Sequence, residues 1–163
     1  MMKVQKHNFK RLDKEQITDE YISDVCSRIP YRPMMTNGQA VGILVGMMDK
    51  NNLILHLPVE DDNVVIKVVP IEDWNLVLFP ISELQLSEME ELIDITIDGE
   101  DNAPGDWIKF RQDNDIEFIT YRRSYKDLVK FFDWMYKHNY DVHNFCDKGM
   151  ALKINHKDLE DNG

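Results

Sequence analysis

Four metal-ligand residue types crowd one short run near the end of the chain: His138, Asp141, His143 and Cys146 fall within nine residues. Zinc accepts imidazole, carboxylate and thiolate, so the four have the chemistry for a tetrahedral site. Zinc sites recognisable from sequence, however, use two ligand pairs parted by a longer loop rather than one short run. The plainer account is that His138 stands at a helix C-terminus, where positive charge is favoured, and that Cys146 is a small core residue. These four are the candidate metal ligands, and no cofactor is expected.

Other chemical signatures fall short at a specific position. Asp94-Ile95-Thr96-Ile97-Asp98-Gly99 opens like a calcium loop, but Thr96 stands where an acid or amide is needed and Gly105 where a glutamate is needed. A short strand ending in an Asp-Gly turn fits it better. Gly42 and Gly46 are not followed by the Gly-Lys-Ser/Thr of a phosphate loop, and no Gly-x-Ser-x-Gly elbow offers a serine nucleophile. Cys26 falls among apolar helix positions with no histidine nearby, which points to the core rather than to nucleophilic chemistry. Tyr31-Arg32, held between Pro30 and Pro33, is a stiff element that fits a rigid connector better than a ligand contact. Trp74, Trp107 and Trp134 lack the neighbouring cations of a base-stacking surface.

Charge is the most uneven property of the chain. Its 163 residues carry a net charge of −11. Residues 1–67 balance nine acids against nine bases, and residues 109–157 carry a small positive excess. Residues 68–108 hold eleven acids and no base: Glu72, Asp73, Glu83, Glu88, Glu90, Glu91, Asp94, Asp98, Glu100, Asp101 and Asp106. Folding draws these carboxylates together at a cost that salt or a basic partner relieves. They are the expected partner-binding surface; the plainer alternative is a solvated face that keeps the protein soluble. Direct binding to nucleic acid is disfavoured, because phosphate contacts need clustered Lys and Arg.

The elements that must position these residues follow from periodicity. Asp13 to Arg28 is predicted as a first helix, with Ile17, Tyr21, Val25 and Ile29 on one stripe and Asp13 and Gln16 in capping-box spacing. Ala40–Met48, Leu53–Leu57, Val64–Val69 and Asn75–Phe79 are predicted strands joined by tight turns, which implies antiparallel pairing. Ser82–Ile93 is expected as a short acidic helix. Trp107–Arg111 and Ile116–Tyr121 are expected as a second hairpin. Ser124–His138 is the clearest helix, with Leu128, Phe131, Phe132 and Met135 as its stripe. It should be the main lid on the sheet, so Phe132→Ala is expected to cost about 3–5 kcal/mol. The fold class is therefore α+β: a mainly antiparallel sheet of about four to six short strands, an N-terminal helix, a short acidic helix and a packed C-terminal helix. A basic arm (1–12), one domain (13–157) and an acidic tail (158–163) complete the organisation. Two cysteines make no disulfide framework, no secretory signal or membrane span is read, and a cytoplasmic location is expected.

Several stretches resemble a group of small uncharacterised proteins of gut bacteria and their phages. Ser27-Arg28-Ile29-Pro30-Tyr31 resembles their opening. Phe132-Asp133-Trp134-Met135-Tyr136-Lys137-His138-Asn139-Tyr140-Asp141 resembles their ending, Lys148-Gly149-Met150-Ala151-Leu152 its continuation, and Leu78-Phe79-Pro80-Ile81-Ser82 an intervening motif. The resemblance spans most of residues 27–154. It implies a mobile-element or phage source and action in a host cytosol, and it carries no catalytic residue. In that group Arg and Ile usually stand where this chain has His143 and Cys146, which tells further against a metal site. The leading expectation is a non-enzymatic protein that binds a basic protein partner, such as a host nucleic-acid-handling or defence protein. The alternatives are a small enzyme or ligand-binding domain with a cleft near the C-terminal helix, and an accessory structural protein of a phage particle.

Overall fold

The computed structural model describes residues 9–85, 87–88, 91, 108–110, 116–118 and 125–157. The expected first helix divides in two. Lys14–Gln16 form a single 3₁₀ turn, closed where the Asp13 N–H donates to Gln16 Oε1 at 2.9 Å. Ile17 then leaves helical geometry, and helix α1 runs Asp19–Arg28. Thr18 is the reason for the restart, since its Oγ1 accepts from the Tyr21 N–H at 3.2 Å and supplies an N-cap. Asp19 and Glu20 in the first turn and Arg28 in the last suit the helix dipole.

Six strands form the main sheet: β1 (Met34–Thr36), β2 (Val41–Asp49), β3 (Asn52–Pro58), β4 (Val64–Pro70), β5 (Asn75–Leu78) and, after a second hairpin of β6 (Ile108–Phe110) and β7 (Ile116–Phe118), β8 (Ala151–Lys153). Their order is β4-β3-β2-β1-β5-β8, with β6 and β7 pairing separately. Every pair is antiparallel except β5 with β8. β1 and β8 escape a periodicity search because three residues are too few to show alternation. The β1–β2 turn is nonetheless written in the sequence. Asn37 Oδ1 accepts from the Gln39 and Ala40 N–H groups, and Gly38 takes a left-handed φ of 85°. A register shift between Leu44 and Gly46 marks a bulge in β2, the kind of extra residue that increases local twist.

Helix α2 (Tyr125–Lys137) matches the expected C-terminal helix almost residue for residue. Two cores result, one on each face of the sheet. On the first, Tyr21 and Val25 of α1 meet Met35, Leu44, Leu53, Leu55, Leu76 and Leu78, joined by Phe145. On the second, Phe131, Trp134 and Met135 of α2 meet Val77, Phe79 and Leu152 with Tyr140. Phe132, expected to anchor the helix, is only half-buried, while Phe131 is fully buried. α2 therefore covers the β5–β8 end of its face rather than the whole sheet.

Residues 9–12 of the expected arm belong to the domain. Leu12 is buried and its N–H donates to Glu72 O at 2.9 Å, and Asn75 Nδ2 donates to Lys10 O at 3.0 Å. Of the expected acidic helix, Ser87, Glu88 and Glu91 are helical, preceded by a 3₁₀ turn at Ile81–Glu83. The tail 158–163, the calcium-like run 94–105 and Trp107 lie outside the described residues. No helix among the described residues is long and apolar enough to cross a membrane.

Candidate functional site

The four proposed metal ligands do not converge. Among the described residues, no three His, Cys, Asp or Glu side chains are placed to hold one ion. The reason is that each is already engaged. Asp141 caps the turn that follows it, its two oxygens accepting from the Phe145 N–H at 2.8 Å and the Cys146 N–H at 2.7 Å. His143 Nδ1 lies 2.8 Å from Asp24 Oδ2. His138 packs edge-on against Trp134, 4.1 Å between ring centres, with its Nε2 buried. Burial holds the His138 imidazole below its usual value, outweighing the nearby Glu88 and Glu91. Burial, reinforced by Asp141, pushes the Cys146 thiol far up, so it holds its proton and is a poor ligand. The other cysteine, Cys26, is exposed rather than in the core, its Sγ 3.3 Å from Met47 Sδ.

The acidic window fares unevenly. Glu90, Asp94, Asp98, Glu100, Asp101 and Asp106 lie outside the described residues. Of the other five, four are met from within the chain. Arg11 Nε stands 2.7 Å from Asp73 and its Nη2 3.4 Å from Glu72. The His156 N–H donates to Glu83 Oε2 at 3.2 Å. The Tyr140 hydroxyl donates to Glu88 Oε1 at 2.7 Å, and burial followed by Glu88 pushes that hydroxyl's pKa up. Glu91 is exposed.

A buried polar network occupies the junction of α1 with the segment after α2. The Asp24 and Arg28 side chains have no exposure at all. Arg28 Nε donates to Asp24 Oδ1 at 2.5 Å, and Nη2 donates to Asp24 Oδ2 at 3.2 Å and to Tyr140 O at 2.9 Å. The guanidinium also lies 4.8 Å from the Tyr136 ring centre. Burial alone would raise the Asp24 carboxyl, but hydrogen bonds from His143 and Arg28 and the charge of Arg28 hold it below its ordinary value. The network clamps α1 to the segment after α2 through His143–Asp24 and Arg28–Tyr140; among the described residues no hydroxyl or thiol is bonded to His143. The signal was present in sequence: Asp24 and Arg28 stand three and seven positions after Tyr21, on the buried stripe.

Among the described residues, most of the exposed large apolar side chains lie on β4, at the end of the sheet that α2 does not reach. On β4, Val64, Ile66 and Val68 are 59%, 66% and 44% exposed. The same residues hold the strand's unpaired backbone. Ile71 N–H donates to Asn51 O and Val59 N–H to Asn63 O, so the odd-numbered residues of β4 face β3 and the even-numbered ones face the free edge. Beside them a groove of about 540 Å³ is lined by Met34, Val41, Ile43, His56, Pro58 and Val64, with Arg32. Glu60, Asp61 and Asp62, all exposed, stand in the turn that leads into β4. Alternation in β2 foretold two faces of the sheet, but nothing in it said which would stay open. The chain matches no protein-family model, no curated protein and no solved structure.

Proposed function

We propose that this chain is a non-enzymatic binding protein that takes an extended segment of another protein onto the edge of β4. One observation carries the proposal: Val64, Ile66 and Val68 combine exposed apolar side chains with N–H and C=O groups that no strand among the described residues pairs. A long apolar edge strand with a single charge, here Lys67, is a template for strand addition unless it is covered. Main-chain pairing supplies affinity there, and alternate side chains supply selectivity.

The partner's chemistry follows from the flanks. Glu60, Asp61 and Asp62 at the start of β4 favour a segment with Lys or Arg beside its apolar residues. A second copy is a poor occupant. Antiparallel pairing would set Glu60–Asp62 of one chain beside Glu72 and Asp73 of the other, between molecules of net charge −11. A nucleic-acid-handling protein of a host cell, with its lysine and arginine clusters, meets the description. The basic partner expected from the sequence is retained, while the surface that meets it moves from the 68–108 window to the β4 edge.

Ile66→Pro tests this directly. It removes an outward N–H without touching the ladder to β3, because only even-numbered residues face the edge. Pull-downs from bacterial lysate should give a captured protein with the wild-type chain, released by high salt and lost with Ile66→Pro. Equal capture by both, or no capture by either, refutes the proposal.

A further inference from the structure

We propose that the groove over β1, β2 and β3 is a binding site for a small apolar molecule with an anionic head, such as a medium-chain carboxylate. The site is distinct from strand addition at β4, although the two share Val64. Its volume of about 540 Å³ lies within the roughly 300–1,000 Å³ of ligand-sized clefts. Met34, Val41, Ile43, Pro58 and Val64 give it an apolar floor and walls. Register explains the convergence: Met34 pairs with Ile43, Ile43 with His56, and Pro58 with Val64, so these side chains form two adjacent rows on one face.

Two polar side chains line the groove, Arg32 and His56. Among the described residues neither has an ion-pair or hydrogen-bond partner, in a chain whose acids outnumber its bases by eleven. An unpaired guanidinium at the rim of an apolar cleft is complementary to a carboxylate, which it meets in bidentate geometry. Its placement is also costly. Arg32 adopts left-handed φ and ψ of 50° and 62°, a strained conformation for a residue other than glycine. Its N–H bonds to Ile29 O at 3.1 Å, and Pro30 and Pro33 stand on either side of Tyr31-Arg32, so the backbone that carries this side chain is held at the groove. The acids that dominate the chain do not line this groove. An anion is therefore accepted here and repelled over the Glu60–Asp62 turn.

Octanoate and 1-octanol, titrated into the full chain and followed by amide NMR shifts, make the test. Octanoate should bind at least about tenfold more tightly than the alcohol, the least expected of one charged hydrogen bond. Its shifts should centre on the amides of residues 32, 34, 41–43, 56 and 57. Arg32→Gln should erase the preference while keeping weak binding of both probes, and Arg32→Lys should retain part of it. Val41→Trp, which fills the groove, should abolish both, with a thermal melt showing that the fold survives. Equal affinity for the two probes, no binding of either, or a preference unchanged in Arg32→Gln would overturn the assignment. Ile66→Pro leaves Arg32 and the groove floor in place, so octanoate binding and partner capture fail separately.

Discussion

Replacing Asp24 with asparagine puts the buried network to a quantitative test. The side chain is nearly isosteric, so packing around Tyr21 and Val25 should survive and the lost charge should dominate. In the wild type, Arg28 is wholly enclosed and meets its counter-charge through two nitrogens, while Nη1 already lacks a partner. Removing the carboxylate leaves a buried guanidinium with only neutral partners, the Tyr140 carbonyl, the Tyr136 ring and one amide oxygen of the new side chain. Breaking such a pair from one side costs about 3–5 kcal/mol, because an uncompensated charge remains in a low-dielectric site. That is a fifth or more of the roughly 5–15 kcal/mol that holds a typical domain folded. At about 2–4 °C per kcal/mol for a chain of this length, Tm should fall by about 6–20 °C. Urea melts at pH 7 measure the loss, with an unchanged m-value as the check that the native state keeps its compactness. The double variant Asp24→Leu with Arg28→Met removes both charges, and should recover most of the loss. pH adds an independent readout. The Asp24 carboxyl is held below its ordinary value of 3.8, so its stabilising contribution is complete above that value and fades as pH falls below it. Asp24→Asn should lose that acid-dependent component. A single-variant loss below about 1 kcal/mol, or a double variant no more stable than the sum of the singles, would refute the clamp.

Two further outcomes follow. Phe131→Ala should cost about 3–5 kcal/mol, since Phe131 is fully enclosed between α2 and β5; Phe132→Ala should cost clearly less, and the reverse order in urea melts would mean the helix is rotated. His138 titrates below its usual 6.5 because it is buried, so the unfolded chain binds its proton first and stability should decline as pH drops below 6.5; His138→Phe should flatten that part of the stability–pH curve, and an unchanged curve would exclude His138 as its source.

Local pattern carried much of the fold. Period-two alternation located β2, apolar runs between turn residues located β3 to β5, and the 3.6-residue stripe located α2 to within a residue at each end. Turn chemistry placed the second hairpin, whose Ile108–Phe118 register agrees with the expected strands. The misreadings also have physical causes. A continuous apolar stripe hid the break before α1, because Thr18 competes for the helix start through a side-chain bond that periodicity does not see. Phe131 and Phe132 are adjacent and equally apolar, so only the angle at which α2 meets β5 decides which is enclosed. The candidate ligands His138, Asp141, His143 and Cys146 were close in sequence, but a turn capped by Asp141 spends one of them on backbone N–H groups.

What the sequence settled by itself was the class of the fold, because helix and strand periods are properties of neighbouring residues. The tertiary structure alone decided which groups of distant origin meet. Asp24 finds His143 across 119 positions and Arg28 finds the Tyr140 carbonyl across 112. β5 leaves its sequence neighbour β4 to pair with β1, and so β4 stands at the edge of the sheet among the described residues. Whether an apolar residue is core or surface depends on what else covers it, and for Val64, Ile66 and Val68 the answer lay in how far along the sheet α2 reaches.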